Sequence, residues 1–245
     1  MHHFFAPGEN GETGRIRLTG RDVKHITRVL RLKEKDQLIV SDGQDRDYLC
    51  EIRETGPDFV LVDVLEACGA SAEPRREILL FQGLPKGDKM DFIIEKAVEL
   101  GVCRLVPVAM ERSVVKLDPA RGEKKRERWQ LKAESAAKQC GRSRVPEVSA
   151  PMDFPEALKL WKDLDRGIVP YESAEDMTHT RRVLEAVPEG ASVGFFIGPE
   201  GGFDPREIEA LQACGAHIIT LGPRILRTET AGPAVLAMAT LLWEV

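Results

Sequence analysis

Val193-Gly194-Phe195-Phe196-Ile197 runs directly into Gly198-Pro199-Glu200-Gly201-Gly202, and Asp204-Pro205-Arg206-Glu207 follows. The first five residues read as a buried strand. The last four read as a helix start, with Asp at the N-cap, Pro at the first helical position and Glu two residues later. A turn so rich in glycine at the carboxyl end of a strand lets backbone approach a ligand closely, and ligands of open α/β sheets bind at that edge. A tight β–α turn without a ligand would read the same way, so a second loop matters.

That second loop is Leu221-Gly222-Pro223-Arg224-Ile225-Leu226-Arg227-Thr228-Glu229-Thr230-Ala231. It follows the short strand pattern Ile218–Leu221 and leads into an apolar helix ending near Trp243. Arg227 and Glu229 are charges in an otherwise apolar bend, where an unpaired charge is costly; they could pair with each other or serve a ligand. Two glycine-shaped loops at successive strand ends make a binding cradle.

Upstream, strand and helix patterns alternate: Ile78–Gln82, a helix from Asp88 to Leu100 with Gly101 as its stop, Arg104–Val108, a long basic helix from about Pro119 to Cys140, and Gly167–Tyr171. This alternation predicts a mostly parallel α/β sheet. Gly83-Leu84-Pro85-Lys86-Gly87-Asp88-Lys89 lies between a strand and a helix but matches neither GxxxxGK[ST] nor GxGxxG. Nucleotide hydrolysis and a Rossmann site therefore lack support, and a weak anion site at a helix N-terminus remains. Residues 1–70 differ, with strand patterns at Gln37–Ser41, Tyr48–Arg53 and Phe59–Leu65. One helix, roughly Asp22 to Leu32, is expected to be capped by Asp22 and to align Lys24, Arg28 and Arg31 on one face beside His25. Residues 71–77 read as a linker, leaving 78–245 as the second domain.

The chain has 245 residues and a net charge of −5, so a uniformly basic nucleic-acid coat is excluded. Charge is polarised, however: residues 112–144 hold 11 Lys/Arg against 4 Asp/Glu, and residues 145–215 hold 6 against 14. The basic segment is either a solvated helix face or a patch that focuses field on an anionic partner. Five cysteines without a CxxC spacing predict neither a zinc ribbon nor a disulfide framework, and no metal is expected. The N-terminus has no signal-peptide pattern, and the longest apolar run, Ala231 to Trp243, is too short for a bilayer that needs about 20 residues. A cytoplasmic protein without a membrane segment is the expectation.

FIIEKAVELGV (92–102), ERSVVK (111–116), QCGRSRVP (139–146), GPEGGF (198–203) and LGPRILRTETA (221–231) occur together in this order. With the N-terminal HHFF and HITRVLRLK (25–33), the set resembles the ribosomal RNA small-subunit uridine N3 methyltransferases of the SPOUT superfamily across essentially the whole chain. The resemblance implies a SPOUT-type, trefoil-knotted α/β domain at 78–245 behind a smaller PUA-like β-barrel domain at 1–70 that binds RNA. It also implies S-adenosylmethionine as cofactor, a homodimer, and ribosomal RNA or the small ribosomal subunit as partner. Carried onto this chain, the cofactor set is Val169, Tyr171, Glu172, Gly198, Pro199, Glu200, Gly201, Gly202, Leu221, Gly222, Ile225, Leu226, Thr230 and Ala231. Methyl transfer to a ring nitrogen needs positioning and removal of the uridine N3 proton. Glu229 is then the candidate base, and Arg227 or Arg142 would stabilise charge on the pyrimidine oxygens. RNA contact is expected from Lys24, His25, Arg28, Arg31, Lys86, Arg112, Lys116, Lys138, Arg142 and Arg144. A non-catalytic RNA-binding or assembly factor, and a methyltransferase for a different RNA acceptor, are the alternatives.

Overall fold

A computed structural model describes residues 1–8, 14–43, 45–68, 72–115, 118–172 and 176–244. The chain packs as two compact units, one of residues Met1–Glu73 with Ala137–Val145, the other of Pro74–Ala136 with Pro146–Val245.

In the first unit, strands β1 (His3–Phe5), β2 (Arg15–Thr19), β3 (Gln37–Ser41), β4 (Asp47–Thr55) and β5 (Phe59–Ala67) form one sheet in the order β1-β3-β4-β5-β2. Every pair is antiparallel except β1 with β3. Alternate residues turn inward: Ile16 and Leu18, Leu38 and Val40, Cys50 and Ile52, Val60 and Val62 are all buried. That period of two is what a sheet with one covered face requires.

Val23 and Ile26 cover this core from a helical segment that departs from expectation. Only Arg21–Lys24 is α-helical (α1); His25–Val29 continues as a π-helical turn, and Arg31 adopts φ 56. Thr27 Oγ1 donates to the Val23 carbonyl at 2.7 Å, taking the acceptor that an α-helix gives to the Thr27 N–H. Lys24, His25, Arg28 and Arg31 are all exposed. Because the turn widens and Arg31 leaves it, they do not form the single helical stripe that their spacing suggests. Asp22 does not cap either: Gly20 occupies the N-cap, and the Asp22 carboxylate accepts from Lys138 Nζ at 2.8 Å.

The second unit alternates strand and helix as read. Strands β6 (Glu77–Gly83), β7 (Arg104–Ala109), β8 (Glu147–Val148), β9 (Met152–Asp153), β10 (Arg166–Pro170), β11 (Ser192–Ile197) and β12 (His217–Ile219) form a sheet in the order β12-β10-β11-β6-β7-β8, with β9 also on β7. All its pairs are parallel. Among the described residues, α2 (Lys89–Glu99), α3 (Pro119–Cys140), α4 (Phe154–Lys162), α5 (Met177–Glu185) and α6 (Pro205–Ala213) lie between strands, and α7 (Thr228–Trp243) follows β12. Met90, Ile93, Ile94, Ala97 and Val98 form the buried face of α2, as their spacing predicts. Asp88 holds the N-cap position of α2 but makes no side-chain cap bond; its carboxylate lies 3.7 Å from Arg128.

Trp161 on α4 wedges against β10 and β11. A Cβ on Gly167 would sit 2.3 Å from its ring, and one on Gly194 would sit 2.8 Å from it. Phe81, Trp161 and Phe196 form one aromatic core with ring centroids 5.3–5.6 Å apart, Phe81 stacked on Phe196 and edge-to-face with Trp161. The strand order has a further consequence for the chain's last turn. Strand β12 lies at the sheet edge, beyond β10, yet α7 begins beside the ends of β11 and β6 in the middle of the sheet.

Candidate active site

Three loops leave the carboxyl ends of β10, β11 and β12, and they enclose a cleft of about 950 Å³ in the second unit. The strand ends are adjacent because β10 pairs with both β11 and β12. Tyr171 and Glu172 come from the first loop, Gly198 to Gly202 from the second, and Leu221, Gly222, Ile225, Leu226 and Arg227 from the third; Ala231 adds the first turn of α7.

Each loop is fixed by its neighbours. The Tyr171 N–H donates to the Ile219 carbonyl at 2.9 Å, and Thr180 Oγ1 on α5 donates to the Thr220 carbonyl at 2.8 Å. Asp204 and Glu207 form the capping box read from sequence. The buried Glu207 also accepts from the Glu111 N–H at 3.0 Å, which tethers the 110–113 turn to α6. That tether sets Arg112 against the glycine loop, where its Nη1 donates to the Gly201 carbonyl at 3.4 Å. Sequence reading gave the glycines the task of keeping side chains away from a ligand. Packing adds a constraint at one of them: a Cβ on Gly201 would lie 2.9 Å from Arg112 Cβ. Gly202 has φ +70, a left-handed conformation that favours glycine.

Two expected cofactor residues stand outside the lining. Val169 is buried in the core, and the cleft lining begins one residue later, at Pro170. Thr230 is exposed on α7 and does not line the cleft.

The charged residues are arranged around Lys89, a liner to which the sequence gave only a weak anion-binding reading. Its Nζ lies 3.0 Å from Glu200 Oε1 and 3.2 Å from Glu229 Oε2. The Glu200 hydrogen bond, with Glu229 next, raises the Lys89 ammonium above its usual value. Partial burial pulls the Glu200 carboxyl upward, but hydrogen bonds from Lys89 and the Lys86 N–H outweigh it and hold Glu200 below the usual range. Arg227 and Glu229 approach only to 4.0 Å; Arg227 is 83% exposed and Glu229 19%. Glu229 therefore leans on Lys89 rather than on Arg227.

The expected RNA set divides. Lys86 and Arg112 are exposed in the second unit. Lys116 lies outside the described residues. In the first unit, Lys138 is held by Asp22, and Arg144 pairs with Asp45 while its N–H donates to Glu73 at 3.0 Å. Arg142 is only 3% exposed, and its guanidinium closes on the Glu73 carboxylate with contacts of 2.5 and 3.2 Å. Arg142 is thus a buried structural ion pair and not a ligand-facing group.

Comparison with known proteins identifies the family. A family model described as an RNA methyltransferase domain matches residues 72–240, and one described as an RNA methyltransferase PUA domain matches residues 18–65. The ribosomal RNA small subunit methyltransferase E of Bacillus subtilis is 38% identical over 217 residues, covering 87% of this chain and 85% of its own. The chain belongs to the ribosomal RNA small subunit methyltransferase E family. Methyltransferase E of Neisseria gonorrhoeae, in a crystal structure bound to S-adenosyl methionine, superposes with a TM-score of 0.86 at 30% identity over 99% of this chain and 98% of that one. A protein crystallised as hypothetical superposes at 0.92 with 36% identity over 99% and 98%. The PUA match takes in β3, β4 and most of β5 but leaves β1 and most of β2 outside it, and the methyltransferase match begins just before β6.

Proposed function

We propose that this protein transfers a methyl group from S-adenosylmethionine to N3 of a uridine in small-subunit ribosomal RNA. The observation that carries the reading is the convergence of the three strand-end loops on one cleft, in a chain of this family. Its size is that of a cofactor site, about 300–1,000 Å³. Its donor set also fits the group. Apolar walls from Leu221, Ile225 and Leu226 suit an adenine, and the backbone of Gly201, Leu221 and Leu226 offers edges for adenine and ribose. Glu172 and Glu200 place carboxylates near a cationic ligand. When bound, the cofactor supplies a methyl group carried on a sulfonium.

The chain's own residues supply position and charge. A uridine imide nitrogen is a poor nucleophile while protonated, so Glu229 accepts the N3 proton, held in place by Lys89. Arg227, at the mouth, stabilises the charge that develops on the pyrimidine oxygens and gains strength as RNA excludes water from it. The first unit binds RNA through Lys24, His25, Arg28 and Arg31. The C-terminal path, from edge strand β12 back to the sheet centre, supports the trefoil knot that the resemblance implies. A homodimer acting in the cytoplasm completes the proposal.

Calorimetric titration with S-adenosylmethionine, followed by methylation of small ribosomal subunits lacking the mark, tests it. Saturable binding and a 3-methyluridine nucleoside in the digest are expected. Binding with a methylated ribose or another base would shift the acceptor, and no binding by folded protein, with or without RNA, would leave an RNA-binding factor.

A further inference from the structure

Beneath the cleft, Gln82 at the end of β6 is completely buried, 146 residues away in sequence from the residue it holds. Its Nε2 donates to Thr228 Oγ1 at 2.8 Å and to the Gly83 carbonyl at 2.9 Å. Thr228 Oγ1 in turn donates to the Gly198 carbonyl at 2.6 Å. The direction of this chain of bonds is forced. A carbonyl only accepts, so the single hydroxyl proton of Thr228 must point at Gly198; the hydroxyl can then only accept from Gln82, which requires the amide nitrogen on that side. Gln82 Oε1 is left buried with no hydrogen-bond partner among the described residues. A buried polar atom without a partner is costly, and apolar side chains of similar size would fill the space. The side chain therefore earns its place through its two donors.

What those donors fix is specific. Thr228 and Gly198 both line the cleft, and Thr228 opens the helix whose next residue is Glu229. We infer that Gln82 is a positioning residue for the cofactor site, acting through Thr228 to lock the Gly198 carbonyl and the first turn of α7 into one geometry. This rests on the reading of the cleft as the S-adenosylmethionine site. Every group in the relay is neutral, so the device works without change across the pH range in which the protein is folded.

The test is calorimetric binding of S-adenosylmethionine to full-length protein carrying Gln82→Met, Thr228→Val, Thr228→Ser or the Gln82→Met/Thr228→Val pair, with Tm and steady-state kinetics alongside. Gln82→Met and Thr228→Val should each weaken cofactor binding about tenfold, the scale of one or two neutral hydrogen bonds in a buried site. The rise should appear in the cofactor KM more than in kcat. Thr228→Ser, which keeps the hydroxyl, should bind within about twofold of wild type. The pair should bind no worse than the weaker single variant, because both break one relay. Additive losses in the pair, or unchanged affinity in a folded Gln82→Met, overturn the inference. A role in folding alone would lower Tm while leaving affinity intact, which also overturns it. If Gln82→Met does not fold, the Thr228→Val and Thr228→Ser comparison decides: equal affinity overturns the relay. Wild-type protein that binds no cofactor would instead overturn the reading of the cleft, a separate outcome.

Discussion

Glu229 and Arg142 were both expected at the chemistry, and their surroundings separate them. Glu229 is not itself a lining residue of the cleft, but it follows the liner Thr228. Its carboxylate meets the liner Lys89 at 3.2 Å through Oε2, with Arg227 only at 4.0 Å from Oε1. Glu229→Gln keeps the shape and removes the base, so kcat should fall by about 10²-fold or more while cofactor affinity stays within about twofold. Unchanged turnover with intact affinity, measured by single-turnover methylation, would remove the base role. Arg142 has the opposite signature. Its guanidinium is buried against Glu73, and breaking a buried pair by removing one partner destabilises by about 3–5 kcal/mol. Arg142→Ala should lower Tm by many degrees and leave kcat/KM near wild type at a temperature where the variant is folded. A stable variant with lost activity would return Arg142 to the active site.

At the scale of elements, α6 shows how much a sequence can carry. Asp204, Pro205 and Glu207 announce its start by type and spacing alone, and the box forms as read. What spacing does not announce is the second job of Glu207, which holds the Glu111 N–H from another loop. Asp204→Ala should remove about 1 kcal/mol, the value of one cap. Glu207→Ala should remove more, because the 110–113 tether goes with the box; equal losses in urea unfolding would show that the tether contributes nothing. The same contrast explains what was legible. The glycine loops and α3 were readable because residue type and local period suffice. The same capping box at Asp153 and Glu156 was available for α4 and was not used. Strand β1 is short and finds its partner far along the chain, so no local pattern marks it, whereas the alternation of β2 from Arg15 to Thr19 was available and spans only five residues. The π-helical turn after α1 follows from one hydroxyl, that of Thr27, competing with the backbone. Val169 lies one residue behind the first lining residue, Pro170, because a strand's last buried residue is not fixed by local sequence, and Lys89 and Gln82 became visible as site residues only once β6, β11 and α7 met.

For the whole molecule, the informative quantity is which cations remain exposed once the chain has folded. The segment 112–144 is strongly basic in sequence, yet α2 and neighbouring acids answer much of that charge. Arg128 meets Asp91 at 2.7 Å, Lys132 meets Glu95 at 2.8 Å, Lys138 meets Asp22 at 2.8 Å, and Arg142 is buried on Glu73. Apart from Arg144, which is exposed but paired with Asp45, the exposed cations of the expected RNA set are Lys24, Arg28, Arg31, Lys86 and Arg112. Each phosphate neutralised on single-stranded RNA contributes a slope of about −0.7 in log K against log salt concentration, so these five give about −3.5. Engaging Lys116, Lys138, Arg142 and Arg144 as well would bring the slope to about −6. Filter binding of a small-subunit RNA fragment between low and physiological salt distinguishes the two. A slope near the smaller value is expected. Arg28→Ala should reduce it by about 0.7, whereas Arg142→Ala in folded protein should leave it unchanged. A slope near the larger value would mean that RNA pulls arginines and lysines out of their acidic partners, and the ion pairs that organise the first unit would then be a reserve of RNA contacts instead of fixed struts.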